Sequence, residues 1–116
     1  MIVRTLWLAV LMVLATPAGA KESGDDDRDR GTGQQVYEKV CVACHGTGAL
    51  NAPKFGDANA WKKLIAEGQH ALVRSAIKGI RQMPARGGNP GLSDKEVERA
   101  VVYMANAAGA RFKDPK

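Results

Sequence analysis

Cys41-Val42-Ala43-Cys44-His45 constrains this chain more than any other stretch. Two thiols three residues apart, followed directly by an imidazole, form the pattern by which a c-type haem is attached. On a helical turn both sulfurs can reach the vinyl groups of one porphyrin and form thioethers, and the adjacent His45 is carried to the iron as an axial ligand. Other uses of the same residues each lack a partner. A thioredoxin-like Cys-x-x-Cys wants a strand before it and an α/β pattern around it, and neither is present. A structural zinc site wants four ligands, whereas the chain offers only these 2 cysteines and one further histidine, His70. A disulfide between Cys41 and Cys44 would leave His45 without a role.

A chain of 116 residues makes at most one domain, with a thin core. It has 6 aromatic residues, so a porphyrin plate would supply apolar surface that the side chains alone do not.

Residues 1–20 read as an export signal. Arg4 gives a positive start, Leu6 to Ala15 is a short apolar run, and Ala18-Gly19-Ala20 is a small-x-small cleavage site, placing the cut after Ala20. The alternative is an uncleaved anchor, for which the run is short. Residues 21–32 read as a flexible acidic leader with Asp25, Asp26, Asp27 and Asp29 and no apolar periodicity. A divalent-cation site there is disfavoured by the absence of calcium-loop spacing.

The remaining stretch, 33–116, reads as one all-α domain. A first helix is expected over Gln34 to Cys44, ending at Gly46. Asp57 or Asn59 can cap a second, carrying Trp61, Leu64 and Ile65 and stopped by Gly68. A third spans Gln69 to Lys78, with Leu72, Val73, Ala76 and Ile77 inward. After a Gly- and Pro-rich loop, Ser93 and Glu96 form a capping box that opens the last helix, whose Val97, Val101 and Met104 share a stripe fading at Gly109. No strand pattern and no repeat is visible.

Taken with Gly33, Tyr37 and Tyr103, the haem motif, a following proline and Met83-Pro84 before the last helix, the chain resembles the class I monohaem cytochromes c. Cys-x-Ala-Cys-His-x-Thr-Gly, Ala52-Pro53-Lys54-x-Gly56-Asp57, Trp61, Met83-Pro84 and Gly-Gly-Asn-Pro-x-Leu-Ser-Asp are similar to the cytochrome c5 group of bacterial periplasm. The resemblance covers residues 33–108 and implies a small fold of about four helices around one covalent haem. Many members of that group have a second cysteine pair in the loop after the Met-Pro. Residues 87–92 have none here, so packing alone is expected to hold that loop.

The resemblance assigns the second axial position to Met83. The residues agree, since Met83 sits on a loop able to fold over the porphyrin and Pro84 stiffens its approach. A thioether opposite imidazole raises the potential. Met104 lies at core spacing, and His70, at a polar helix start, is expected to be exposed. The resemblance also implies that the Pro53 carbonyl supports the proximal histidine and that the Trp61 ring N–H points at a haem propionate. On the residues alone, a loop stiffener and a buried tryptophan with another acceptor are equal readings.

Residues 31–116 carry 13 basic against 7 acidic side chains, a net charge of +6. Lys54, Lys62, Lys63, Lys78, Arg81 and Arg86 fall in segments expected to border the haem, which would steer the protein toward acidic faces of redox partners; a merely soluble basic surface is the rival reading. Nothing resembles a nucleic-acid-binding motif. The expectation is therefore a periplasmic, monomeric one-electron carrier serving redox proteins, including membrane-bound oxidase or reductase complexes, and not an enzyme. The alternatives are a subunit of a larger redox complex and a haem enzyme or gas sensor with a labile sixth ligand.

Overall fold

The computed structural model describes residues 31–116. The expected signal segment, 1–20, and the leader up to residue 30 lie outside the described residues. Among the described residues there are helices and turns and no strand, apart from one isolated bridge between Ile80 and Met83.

The first helix, α1, covers residues 33–45 in three pieces: α-helical Gly33–Val36, a wide π turn over Tyr37–Cys41, and α-helical Val42–His45. It starts one residue before the expected Gln34, for a local reason. Thr32 is its N-cap: the Thr32 hydroxyl accepts from the Gln35 N–H at 3.1 Å, and the Gln35 side chain accepts from the Thr32 N–H at 3.0 Å. The last residue assigned to the leader is thus built into the fold. The π turn closes through the Val42 N–H on the Tyr37 carbonyl, and no periodicity argument anticipates it.

The other three helices match the expected bounds closely. Helix α2, Ala58–Glu67, is capped by Asp57, whose carboxylate accepts from the Ala60 N–H at 3.2 Å. Helix α3, Gln69–Lys78, follows the single corner residue Gly68. Helix α4, Asp94–Ala107, opens with the reciprocal Ser93 and Glu96 capping box. Between α3 and α4 runs a loop with a short 3₁₀ turn at Ala85–Gly88, and another such turn at Ala49–Asn51 follows α1.

Two apolar clusters join these helices. Val36, Leu72, Val73, Ala76, Val97, Ala100 and Val101 bring α1, α3 and α4 together, while Tyr37, Trp61, Met104 and Ala105 join α1, α2 and α4. Helices α1 and α4 meet at Gly33, where a Cβ would lie 2.8 Å from the Arg99 carbonyl carbon and 2.9 Å from Tyr103 Cβ. Only glycine permits that approach. Beside it Tyr37, Phe55 and Tyr103 form a three-ring group with centroids 4.7 to 5.5 Å apart.

The C-terminal tail is tied back on to this frame by two amide side chains. Asn106 accepts from the Phe112 N–H at 2.8 Å and donates to its carbonyl at 3.0 Å. Gln69 makes the same pair of bonds with Lys113, at 3.1 and 2.7 Å. Phe112 then packs against both clusters.

Candidate haem site

A cavity of about 290 Å³ lies between the helices. Cys41, Cys44 and His45 of α1, Pro53 of the following loop, Trp61 of α2 and Met83 of the loop before α4 all line it. Met104 and Val101 of α4 and Leu64 and Leu72 of α2 and α3 add apolar wall. Leu50 and Ile80, 62% and 43% exposed, stand where the cavity meets solvent.

The α1 residues are arranged by the helix itself. Cys41 and Cys44 are half-buried, the intervening Val42 and Ala43 are exposed, Ala43 also lining the cavity, and His45 is buried. The His45 Nδ1–H donates to the Pro53 carbonyl at 2.9 Å, the contact that the resemblance implies. That bond fixes the tautomer, so Nε2 carries the free lone pair. A second tie, from the Phe55 N–H to the His45 carbonyl at 2.6 Å, secures the loop that brings Pro53 to the ring.

Burial pushes the Cys41 thiol up to about 11. Redox-active Cys-x-x-Cys pairs have lowered thiol values, because their chemistry needs a thiolate. The half-buried Cys41 lacks that lowered value.

Trp61 is buried and its ring lies 5.8 Å from that of His45. Its ring N–H donates to the Lys54 carbonyl at 3.0 Å. The bond closes the loop 54–61 at the foot of α2, and what the tryptophan offers the cavity is its apolar ring.

Met83 is held by backbone on both sides. Ile80 and Met83 exchange two N–H to carbonyl bonds, at 2.9 and 3.0 Å, closing a tight turn around Arg81 and Gln82. Gly79, at φ +85°, allows the chain to fold over itself there, since a Cβ would lie 2.9 Å from the Ala85 nitrogen. His70 is exposed and does not line the cavity, and no group of three or more His, Cys, Asp or Glu able to hold a metal occurs among the described residues.

The donor set fits a covalently held haem: two thiols on one helical turn, an imidazole with one nitrogen free, and a thioether lining the same apolar cavity. The expected ring of cations is only partly assembled. Arg81 lines the cavity, whereas Arg86 is turned to Leu92 and Asp94, and Lys54, Lys62, Lys63 and Lys78 are exposed without lining it.

Residue patterns alone missed Leu50, Ile80 and Gln82 as lining residues, although isolated apolar side chains in a polar loop, such as Leu50 and Ile80, are a signal of that kind. Leu50 and Asn51 also adopt left-handed backbone, at φ 54° and 61°, which nothing in their side chains announces.

Fold and donor set together define a small helical haem protein with its cofactor anchored by one helix. A family model described as cytochrome c oxidase, cbb3-type, subunit III matches residues 28–104. Cytochrome c-555 from Chlorobaculum thiosulfatiphilum is 45% identical over 80 residues, covering 66% of this chain and 93% of the relative. Cytochrome c5 from Azotobacter vinelandii is 39% identical over 89 residues, covering 75% and 96%. Among solved structures, a chain in an electron transfer complex of nitrite reductase with cytochrome c aligns with a TM-score of 0.63 and 42% identity, over 66% of this chain and 93% of that one. A mono-haem ferrocytochrome c from Shewanella putrefaciens aligns with a TM-score of 0.59 and 29% identity, over 65% and 93%.

The chain belongs to the class I monohaem cytochromes c, close to the cytochrome c5 group. It carries one covalent c-type haem and is an electron carrier that works with redox proteins, not an enzyme.

Proposed function

We propose that the haem is attached through Cys41 and Cys44, that His45 Nε2 and the Met83 thioether are its axial ligands, and that Pro53 and Trp61 support the site. The bound haem supplies a single ferric/ferrous electron step. The protein residues set its conditions: Pro53 orients His45, Met83 closes the sixth position, and the apolar walls from α2, α3 and α4 keep water away. The observation that carries this reading is the shared cavity. Residues from α1 and from a loop almost 40 positions later line one apolar space, with the His45 tautomer already fixed.

A denaturing gel stained for haem and a pyridine haemochrome spectrum test the attachment; a haem-free mature protein from a host that matures c-type cytochromes would overturn it. Ligation is read from the weak far-red band of sulfur bound to ferric iron. The band is expected in the native protein and absent in Met83→Ala; its persistence in the variant would remove Met83 from the site.

The protein is exported to the periplasm, cut after Ala20, and acts as a monomer. The pattern of residues 1–20 supports the export and the cut. Its partners present acidic docking faces, as the +6 charge of residues 31–116 favours. The similar complex with nitrite reductase supports a reductase as one such partner. The match to a cbb3-type oxidase subunit favours a second reading, a fixed subunit of a larger redox complex. Purification from native membranes discriminates: a carrier stays in the soluble fraction without a stoichiometric partner.

A further inference from the structure

The loop 79–92 has no cysteine to cross-link it, and packing is not all that holds it. Arg86 sits in left-handed backbone at φ 56°, a conformation that strains an L residue. From there its guanidinium reaches forward, donating to the Leu92 carbonyl at 2.9 Å and to Asp94 at 2.5 Å. Leu92 is buried in the larger apolar cluster, and Asp94 is the first residue of α4, whose Val97, Ala100 and Val101 are core. The far end of the loop is therefore fastened to the most firmly packed helix.

Backbone carries that constraint to the cavity. The Asn89 N–H bonds to the Arg86 carbonyl at 3.2 Å, the Gly87 N–H to the Pro84 carbonyl at 3.1 Å, and Met83, next to Pro84, is paired with Ile80. We propose that Arg86 is a positioning residue: its fork on Leu92 and Asp94 holds the 84–92 segment closed and so sets how often the Met83 thioether leaves the iron. The proposal rests on the reading of Met83 as the sixth ligand.

The two contacts are unequal. Asp94 is 70% exposed at its side chain, so its pairing is screened by water, whereas the Arg86 side chain is 27% exposed and its part-buried bond to the Leu92 carbonyl is the more protected. Loss of the fork should thus matter more than loss of the Asp94 charge.

An external ligand binds ferric iron only while Met83 is away, and its apparent affinity scales with the open fraction. Imidazole titration of the ferric holoprotein, followed by loss of the far-red band, reads that fraction. Arg86→Gln, which keeps a non-glycine residue at the left-handed position, is expected to tighten apparent imidazole binding about fivefold, the equivalent of one ordinary hydrogen bond. Arg86→Lys, which keeps the charge but not the fork, is expected to move it in the same direction by about half as much, and Asp94→Asn by less than Arg86→Gln. Gln69→Ala releases the C-terminal tail and lowers global stability, yet leaves imidazole affinity unchanged.

An affinity for Arg86→Gln within about twofold of wild type, or an equal gain in Gln69→Ala, overturns the proposal. A wild-type ferric protein that lacks the far-red band instead overturns Met83 ligation, and the role of Arg86 with it.

Discussion

His45 spends Nδ1 on the Pro53 carbonyl and keeps Nε2, and Trp61 spends its N–H on the Lys54 carbonyl, so two neighbouring loop carbonyls organise the proximal side. Trp61→Phe keeps the apolar ring but leaves the Lys54 carbonyl with only the Asp57 N–H. It is expected to cost about 1 kcal/mol in urea unfolding while the far-red band persists. Tyr37 offers a pH test. Burial, with Tyr103 close by, raises its phenol above the ordinary value of 10.0, so the folded state favours the neutral form. That contribution is fully present below about pH 10 and is lost as pH rises through the raised value, because ionisation is easier in the unfolded chain. Urea midpoints at about pH 9 and pH 11 should fall more steeply for wild type than for Tyr37→Phe. That Cys41, Cys44 and His45 come together on one helix beside the cavity was legible from five residues, because their spacing sets it. The acceptor of Trp61 and the fork of Arg86 were not, since both depend on where a distant carbonyl comes to rest.

At the scale of elements, α2, α3 and α4 were legible almost to the residue because their ends are written locally, in Asp57, Gly68, Gly79 and the Ser93 and Glu96 box. Ser93→Ala removes a cap and is expected to lower stability by about 1 kcal/mol in urea or thermal unfolding. Gly33→Ala presses a methyl against the Arg99 carbonyl of α4 and is expected to cost about 1–3 kcal/mol by the same measurement. The π turn of α1 escaped sequence reading, since apolar periodicity assumes a regular repeat and the extra residue in the turn has no compositional mark. The tail escaped for a different reason: Asn106 and Gln69 look like surface amides until the chain returns past them.

For the molecule as a whole, one apolar cavity gathers donors from both ends of the domain, and the basic excess lies outside it. Apart from Arg81, the expected cations do not line the cavity, so their effect on partners is expected to be one of net field. Electron transfer with an acidic partner is accordingly expected to slow as ionic strength rises over the range where the screening length falls to about 10 Å, measured by stopped-flow kinetics. A rate indifferent to salt would leave the charge a matter of solubility. Spectroelectrochemical titration of the purified holoprotein from the Soret region to the far red reads at once whether the haem is closed, six-coordinate and passes single electrons. A single one-electron transition is expected, with the sulfur-to-iron band present throughout the oxidised limb; an oxidised protein without that band would not have a closed haem.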